Sequence, residues 1–177
     1  MIRSVEPQDL AQMCAIYNHY IRNSVATFEE HEVSLEDFSQ RIEKITQRFI
    51  CLVYQGQDKV LAYAYVSPWK ERSAYRFSVE SSIYVAADAA GQGVGRALYQ
   101  QLIETLKDYP VATILAGISL PNPASIGLHQ VLGFKNVAEI ERVGRKFGTW
   151  ISVAYWQRHI KTEQQLLQLE ASTDLEP

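Results

Sequence analysis

The spacing of apolar residues along the chain predicts a set of amphipathic helices and short strands. Between Leu10 and Ile21, apolar residues recur at intervals of three and four, which indicates one buried face of a helix. Ser34 followed by Asp37 resembles a capping box and predicts a second helix that runs to about Thr46. Apolar or alternating runs predict strands at residues 2–5, 49–54, 60–66, 78–85, 111–118, 134–143 and 150–157.

Two further helices are predicted in the second half of the chain. One opens at a glycine-rich segment and stops before Pro110, and the other runs from Ala124 to Leu132 with Gly133 after its last residue. This order of elements predicts an α/β (α+β) fold with a mixed sheet in a single domain, residues 1–160. The polar tail, residues 161–177, is expected to be a frayed helix or disordered.

Composition and charge narrow the class of protein. The chain has 177 residues, a formal net charge of −3 and a pI of about 5.8, which argues against a protein that binds a phosphate backbone. No segment has the unbroken apolar length of a membrane helix, and the N-terminus does not look like a signal peptide, so a cytoplasmic location is expected. Cys14 and Cys51 lie in apolar runs and are interpreted as buried thiols, and the histidines show no zinc spacing.

The glycine-rich segment is the first candidate for chemistry. Gly91, Gly93 and Gly95 alternate with Gln92 and Val94 between a predicted strand and a predicted helix. Such a turn presents backbone N–H groups and a helix N-terminus to an anion such as a pyrophosphate, and the charge of Arg96 stands at its rim. The spacing fits neither the dinucleotide fingerprint nor the P-loop. A plain strand-to-helix turn is the alternative interpretation.

Taken together, these segments resemble the GCN5-related N-acetyltransferase (GNAT) superfamily. The resemblance covers the strand at 78–85, the glycine segment, Asn122 and the helix that precedes Gly133. Ala90 departs from the superfamily pattern, which usually has Gln or Arg at the start of the glycine signature. Motifs across about residues 2 to 158 resemble one branch, the phosphinothricin and methionine sulfoximine acetyltransferases; they lie at residues 16–20, 26–28, 79–85, 120–122, 128–129 and 143–150.

The resemblance implies a fold and a cofactor site. It implies a mixed, mostly antiparallel central sheet with about four flanking helices, splayed between the strands near 78–85 and 111–118. Acetyl-CoA is expected as co-substrate, with its pantetheine arm in this gap and its diphosphate on the glycine segment. The expected cofactor contacts are Ile83, Tyr84, Val85, Gly91, Gln92, Gly93, Val94, Gly95, Arg96, Asn122 and Ser125. Because relatives are commonly dimers, a homodimer is also expected.

Two residues are candidates for proton transfer. Glu80 lies in the middle of a strand among Val79, Ser81 and Ser82, where partial burial would raise its pKa and make it a suitable base for the amine. A structural carboxylate paired with an arginine is the alternative. His129 is on the helix where many relatives carry a tyrosine, and it can donate or relay a proton to the leaving thiolate. A core histidine with satisfied hydrogen bonds is the alternative there.

Cations before the catalytic strand are candidates for binding an acidic acceptor. Lys70, Arg72 and Arg76 cluster around Tyr75, and arginine suits a carboxylate or phosphinate, although a solvated loop is the alternative. Phe28 is expected to wall the acceptor pocket. Lys146, interpreted as part of a glycine-rich loop before Trp150, is expected to reach the site, from the same or a partner subunit.

The sequence therefore predicts an acetyl-CoA-dependent N-acetyltransferase that needs no metal. The expected acceptor is a small, acidic amino-acid-like amine such as phosphinothricin, methionine sulfoximine or methionine sulfone. Two alternatives stay open. The acceptor can be another small amine or a peptide N-terminus, or the chain can be a non-catalytic acetyl-CoA-binding sensor. A partner that is a nucleic acid or a membrane is not expected.

Overall fold

A computed structural model describes residues 1–173. One seven-stranded sheet has the order β1-β2-β3-β4-β5-β7-β6. The strands are β1 Ile2–Ser4, β2 Cys51–Gln55, β3 Val60–Pro68, β4 Ser78–Val85, β5 Thr113–Ser119, β6 Lys135–Lys146 and β7 Thr149–His159. The α-helices are α1 Leu10–Asn23, α2 Leu35–Thr46, α3 Val94–Thr105, α4 Pro123–Val131 and α5 Glu163–Thr173.

The pairing of β4 with β5 sets the architecture of the sheet. Every other neighbouring pair of strands is antiparallel, whereas β4 and β5 are parallel and pair over only three residues, from Ser78 opposite Thr113 to Glu80 opposite Leu115. Beyond Glu80 the two strands separate. The predicted mixed, mostly antiparallel sheet with a splayed strand pair is therefore confirmed.

Two hydrophobic cores lie on opposite faces of this sheet. The apolar face of α3, including Leu98 and Leu102, packs on one face in a cluster that reaches Ile114 of β5 and Trp156 of β7. The apolar faces of α1 and α2 pack on the other face, where Phe38 contacts the strands near Tyr63. Helices whose apolar residues recur every three or four positions can bury one stripe in this way. The second core contains buried residues from α1, α2, β2 and β3 but none from β5, β6 or β7 within the described chain.

Several helix ends follow the signals in the sequence. The Ser34 hydroxyl accepts a hydrogen bond from the Asp37 N–H at 3.0 Å, and α2 then ends at Thr46 as predicted. Gly133 follows α4 with φ +77°, the left-handed conformation that favours glycine at this place. The residues from Pro7 to Asp9 form a 3₁₀ turn, and α1 follows directly from Leu10.

One sequence expectation needs correction. The loop predicted around Gly144 and Gly148 is a tight hairpin, because β6 and β7 stay paired up to Lys146 opposite Thr149 and turn at Phe147 and Gly148, both with positive φ. Gly144 therefore lies inside β6. The expected tail contains helix α5 up to Thr173, and its last part, residues 174–177, lies outside the described residues. The boundary of the domain at residue 160 stays a prediction.

Cys14 and Cys51 are both buried and unbridged, as expected. Among residues 1–173, no helix combines the length and the apolar character needed to cross a bilayer.

Candidate active site

The separation of β4 from β5 opens a cleft with a volume of about 410 Å³. One wall is the second half of β4 and the glycine segment that follows it, and the other is the end of β5 with the start of α4. Most cofactor contacts expected from the sequence line this cleft; they are Ile83, Tyr84, Val85, Gly91, Gly93, Val94, Gly95, Arg96, Asn122 and Ser125. His129 also lines it.

The glycine segment has the conformation of an anion cradle. Gly91 has φ +75° and Gly93, the N-cap of α3, has φ +80°, so both adopt a backbone that other residues rarely do. A Cβ added at either position would meet no atom within 4 Å, which leaves the backbone open to a ligand. At Gly95 an added Cβ would lie 3.1 Å from the Val85 side chain, so this glycine lets α3 approach β4. The first N–H groups of α3 lack partners inside the helix and suit a diphosphate.

Two side chains of this segment differ in what they can offer. The Gln92 amide donates to the carbonyl oxygen of Asp88 at 2.7 Å, so its side chain is used inside the loop and only its backbone is available. Arg96 is exposed on the first turn of α3, where its charge lies at the rim of the cleft as expected.

Asn122 joins the opposite wall to its helix. Its Oδ1 accepts a hydrogen bond from the Ser125 N–H at 3.1 Å and so caps α4. The amide nitrogen of the same side chain carries two further N–H groups. Asn122 can therefore cap its helix and donate to a ligand in the cleft at the same time.

The Tyr20 hydroxyl of α1 contacts backbone groups of β4 beside the cleft. This hydroxyl donates to the Val85 carbonyl oxygen at 2.9 Å, and the Val85 N–H lies 3.4 Å from the same hydroxyl. A pantetheine arm that pairs with Val85 must replace this contact, whereas Ile83 is not affected by it. The side chain of Tyr84 lies on the other face, in contact with the rings of Tyr17 and Tyr63, so only its backbone belongs to the cleft.

Glu80 stands at the point where β4 and β5 part. It is half-buried, and its Oε1 would lie 3.2 Å from a Cβ added at Gly117, which shows how closely the carboxylate approaches the backbone of β5. Burial raises the pKa of Glu80, and the positive charge of Lys70 partly opposes this rise. A raised pKa makes a carboxylate a stronger base, so the environment of Glu80 suits proton abstraction.

His129 is buried in the wall of the cleft, with both ring nitrogens in contact with protein atoms. Nδ1 lies 2.7 Å from the Ser125 carbonyl oxygen, and Nε2 lies 3.2 Å from the Tyr99 hydroxyl. The imidazole also contacts the rings of Tyr99 and Phe134. Burial lowers its pKa, and the hydrogen bond to Ser125 opposes this. The site thus holds a histidine that both lines the cleft and is satisfied in the core.

The predicted cations gather beside the cleft and not inside it. Lys70, Arg72, Tyr75 and Arg76 line a separate cavity of about 50 Å³, together with Arg48, which the sequence did not single out. The Lys70 ammonium lies 4.7 Å from the centre of the Trp69 ring, and the Arg76 guanidinium lies 4.4 Å from the centre of the Phe77 ring. Ser78 also lines this cavity and precedes Glu80 by two residues on one face of β4, so the two sites are neighbours.

Lys146 is not placed as the sequence predicted. It lies in β6 and not in a loop, and only 1% of its surface is exposed. Its ammonium donates to the carbonyl oxygens of Ser24 and Thr27 at 2.8 and 2.7 Å, because the loop after α1 folds over the hairpin. The structure therefore gives Lys146 the role of holding this loop, and its ammonium does not extend into the cleft from the same subunit.

Phe28 lies on the loop that Lys146 holds. Its ring packs directly on Gly144, where an added Cβ would come within 2.5 Å of it, and the side chain is 39% exposed. Gly144 is thus required by a close approach inside a strand. The Phe28 ring forms a partly exposed apolar surface beside the hairpin, and it follows Ala26, which lines the cleft, by two residues.

The structure adds residues that sequence reasoning missed: Tyr20, Arg48, Ser81, Tyr99 and Tyr155. Tyr155 faces Gly117. Burial raises the pKa of its phenol, and the negative charge of Glu80 adds to this rise. Ser81 was detectable, because a serine among Val79, Ile83 and Val85 on the buried face of a strand must find a hydrogen-bond partner. Nothing local marks the tyrosines, whose partners lie far away in the sequence.

A splayed sheet, a glycine cradle at a helix N-terminus and a half-buried carboxylate at the fork together define an acyl-CoA-type acetyltransferase site. The model of the acetyltransferase (GNAT) domain family matches residues 2–154. The chain belongs to this family and is an N-acetyltransferase.

Relatives within the family are similar over most of their length. A phosphinothricin N-acetyltransferase of Alcaligenes faecalis is 39% identical over 159 residues, covering 89% of this chain and 81% of that protein. An L-methionine sulfoximine/L-methionine sulfone acetyltransferase of Pseudomonas aeruginosa is 34% identical over 161 residues, covering 90% and 94%. The crystal structure of a phosphinothricin acetyltransferase from Sinorhizobium meliloti with acetyl-CoA superposes with a TM-score of 0.87 at 34% identity, covering 90% and 87%.

Proposed function

We propose that this N-acetyltransferase moves the acetyl group of acetyl-CoA directly to the amino group of a small, acidic amino-acid-like molecule in a ternary complex. Phosphinothricin, methionine sulfoximine and methionine sulfone are the acceptors we propose to test, because relatives at 34–39% identity carry these names. The observation that carries the proposal is the position of the Glu80 carboxylate against Gly117, a residue that lines the cleft between β4 and β5.

The cofactor cleft fits a nucleotide-linked thioester. The N–H groups at Gly91, Gly93 and the first turn of α3 would hold the diphosphate, and Arg96 would add a positive charge. The backbone of Ile83 and the side chain of Asn122 would contact the pantetheine arm from opposite walls. Acetyl-CoA, when bound, supplies an activated acetyl group whose carbonyl carbon the amine attacks.

Glu80 would act as the general base. An α-amino group is mostly protonated at neutral pH, so one proton must leave before the nitrogen can attack. The Glu80 carboxylate would accept this proton, directly or through water. The C–N bond would then form as the C–S bond breaks, the nitrogen would lose a second proton, and the thiolate of CoA would take up one proton and leave as a thiol. His129 and the Ser125 hydroxyl, which lies 3.4 Å from His129 Nδ1, are the polar groups that we assign to the side of the leaving thiolate.

The cations would attract the anionic group of the acceptor. Lys70, Arg72, Arg76 and Arg48 surround a small cavity beside Glu80, and guanidinium groups match carboxylate and phosphinate geometry. Phe28 would contribute an apolar surface on the side of the loop. A small amino acid with a second acidic group suits this combination better than an amine without an anionic group does.

A substrate screen tests the proposal. Purified protein is supplied with acetyl-CoA and one amine at a time, and free CoA is followed by a thiol reagent. We expect turnover with phosphinothricin, methionine sulfoximine or methionine sulfone to exceed turnover with plain amino acids and with peptides that have free N-termini. Mass spectrometry of the product should show one added acetyl group on the amine.

The alternatives predict other results in the same screen. Faster acetylation of peptide N-termini would replace the small acceptor with a polypeptide. Binding of acetyl-CoA with no turnover on any amine would favour a sensor.

We further infer a homodimer in the cytoplasm. Strand β6 is a 12-residue edge strand, and apolar side chains near the hairpin are exposed, notably Phe147 and Trp150 at 60% each. Such an edge with apolar neighbours suits pairing with a second copy. Two buried free thiols suit a reducing compartment. The net charge of −3 gives no support to binding of nucleic acid or of anionic membranes. Light scattering of the purified protein tests the dimer.

A further inference from the structure

A chain of polar groups runs behind the wall of the cleft, from β5 through β4 and α3 to α4. The Ser81 hydroxyl donates to the Leu115 carbonyl oxygen at 3.0 Å and lies 2.5 Å from the Tyr99 hydroxyl. The Tyr99 hydroxyl lies 3.2 Å from His129 Nε2, and His129 Nδ1 lies 2.7 Å from the Ser125 carbonyl oxygen. The chain therefore has four contacts and ends on a backbone carbonyl at both sides.

The number of protons in this chain depends on the charge of His129. Each hydrogen bond needs one proton between its two atoms, and a backbone carbonyl can only accept. The hydroxyls of Ser81 and Tyr99 bring one proton each, and a neutral imidazole brings one more. Four contacts thus share three protons while His129 is neutral. With a proton on both ring nitrogens, all four contacts become hydrogen bonds.

We propose that Tyr99 and Ser81 are positioning residues that set the proton affinity of His129, and that the chain takes up one proton at Nε2. In the protonated chain, Nε2–H donates to Tyr99, Tyr99 donates to Ser81, and Ser81 donates to the Leu115 carbonyl. The resulting imidazolium places a positive charge in the wall of the cleft where the thiolate of CoA leaves. Its use in the reaction rests on the proposed function, whereas its geometry does not.

The surroundings of His129 limit this proton affinity without removing it. Burial lowers the pKa of His129, and the Ser125 carbonyl opposes the change. Burial also raises the pKa of Tyr99, so the phenol keeps its proton and remains a neutral partner. Arg158 of β7 donates to the Leu132 carbonyl, and its charge acts on Tyr99 against that rise. Phe134 presents only its ring to the imidazole.

The sequence left two roles open for His129, a proton donor to the thiolate and a core histidine with satisfied hydrogen bonds, and the polar chain bears on this choice. Both ring nitrogens point into the chain, so neither is free to pass a proton straight into the cleft. The Ser125 hydroxyl is within 3.4 Å of Nδ1 and lines the cleft. His129 therefore acts through its charge and through its neighbours, and Ser125 is the hydroxyl that can contact the thiolate.

The test is an NMR titration of the His129 ring in the full-length protein without acetyl-CoA or acceptor, with the signal assigned by its loss in His129→Gln. Tyr99→Phe removes the acceptor of Nε2–H, and we expect the His129 pKa to fall by about one to two pH units, as for loss of a charge-assisted hydrogen bond. In Ser81→Ala, the Tyr99 hydroxyl is free to donate its proton to Nε2. The neutral imidazole then has both of its hydrogen bonds, so the pKa of His129 should also fall. Ser81→Thr keeps the hydroxyl and should restore the wild-type value.

Tyr63→Phe is the matched control. It also removes a buried tyrosine hydroxyl, and that hydroxyl has no hydrogen-bond partner in residues 1–173, so the His129 titration should not move. Unchanged titration in Tyr99→Phe and Ser81→Ala would overturn the proposal. If Tyr99→Phe does not fold, the contrast between Ser81→Ala and Ser81→Thr decides. A protein that transfers no acetyl group still reports this pKa, so the two proposals can fail independently.

Discussion

The two sides of the fork between β4 and β5 are built in different ways. The side proposed for the cofactor consists largely of backbone, with left-handed glycines at Gly91 and Gly93 and a helix N-terminus above them. The side proposed for the acceptor consists of side chains from distant segments, namely Glu80, the cations near Arg76 and the loop that Lys146 holds. A backbone site tolerates changes of side chain, as at Ala90, whereas a side-chain site depends on each contributor. Substitutions on the two sides should therefore have effects of different kinds.

The largest effect is expected at the fork itself. Glu80→Gln keeps the size of the side chain and removes the base, so we expect kcat to fall by roughly 10²–10⁴-fold with little change in KM for acetyl-CoA. Steady-state kinetics with thermal unfolding as a check of the fold measure this. Glu139→Gln, on the exposed face of β6, should leave kcat unchanged. Near-normal turnover in Glu80→Gln would remove Glu80 from the mechanism.

On the cofactor side, Gly93→Val should weaken acetyl-CoA binding by about tenfold or more. A β-branched residue at φ +80° costs about 1–2 kcal/mol or forces the cradle to change shape, and its side chain points into the space left for the ligand. Calorimetric titration with CoA measures the loss. Gly127→Ala is the control, because an added Cβ in α4 meets no atom within 4 Å. Equal binding by Gly93→Val would show that the cradle is not the diphosphate site.

On the acceptor side, Lys146→Met should loosen the loop after α1. The carbonyls of Ser24 and Thr27 lose their donor, and we expect the free energy of unfolding to fall by about 1–3 kcal/mol. KM for the acceptor should rise severalfold while KM for acetyl-CoA stays the same. Denaturant unfolding and kinetics measure the two effects, with Lys135→Met on exposed β6 as control. A selective change in KM for acetyl-CoA would contradict this division of the site.

The smallest effect concerns the charge beside the base. Lys70 lowers the pKa of Glu80, so Lys70→Met should raise that pKa and move the acidic limb of the kcat/KM profile to higher pH. Because Lys70 is exposed, the shift should be under about one pH unit and should shrink at high salt. Profiles at two ionic strengths measure it. A shift toward lower pH would show that Lys70 does not act on Glu80 through its charge.

The sequence predicted best those features that depend on neighbouring residues. The capped start of α2, the limits of β4 from Ser78 to Val85 and the glycine after α4 follow from local chemistry, and all three are confirmed. The splay was expected only through the family resemblance, since spacing along one strand does not reveal how far two strands stay paired. The position of the cleft follows from this splay, because the cleft lies where β4 and β5 separate.

Features that depend on distant residues were mispredicted or missed. Gly144 was interpreted as a loop glycine, although it lies in a strand because the ring of Phe28 packs on it. Lys146 was expected to reach the site from a glycine-rich loop, but a loop more than a hundred residues away in the sequence supplies its acceptors. Tyr99 of α3 was not singled out from the sequence. Its role arises only where three other elements meet it.

The short pairing between β4 and β5 also bears on how the protein unfolds. Strands on both sides of this pairing contribute to the core under α3. The core under α1 and α2, in contrast, includes no buried residue of β5, β6 or β7 from the described chain. Amide exchange should therefore detect local opening of β5 to β7 at a lower free energy than opening of β2 and β3. A ligand that bridges both walls of the cleft would reduce this difference between the two free energies of opening. At a concentration of a hundred times its Kd, the ligand would add about 2.7 kcal/mol to overall stability. Substrate occupancy would then determine whether the molecule unfolds as one cooperative unit or in two stages.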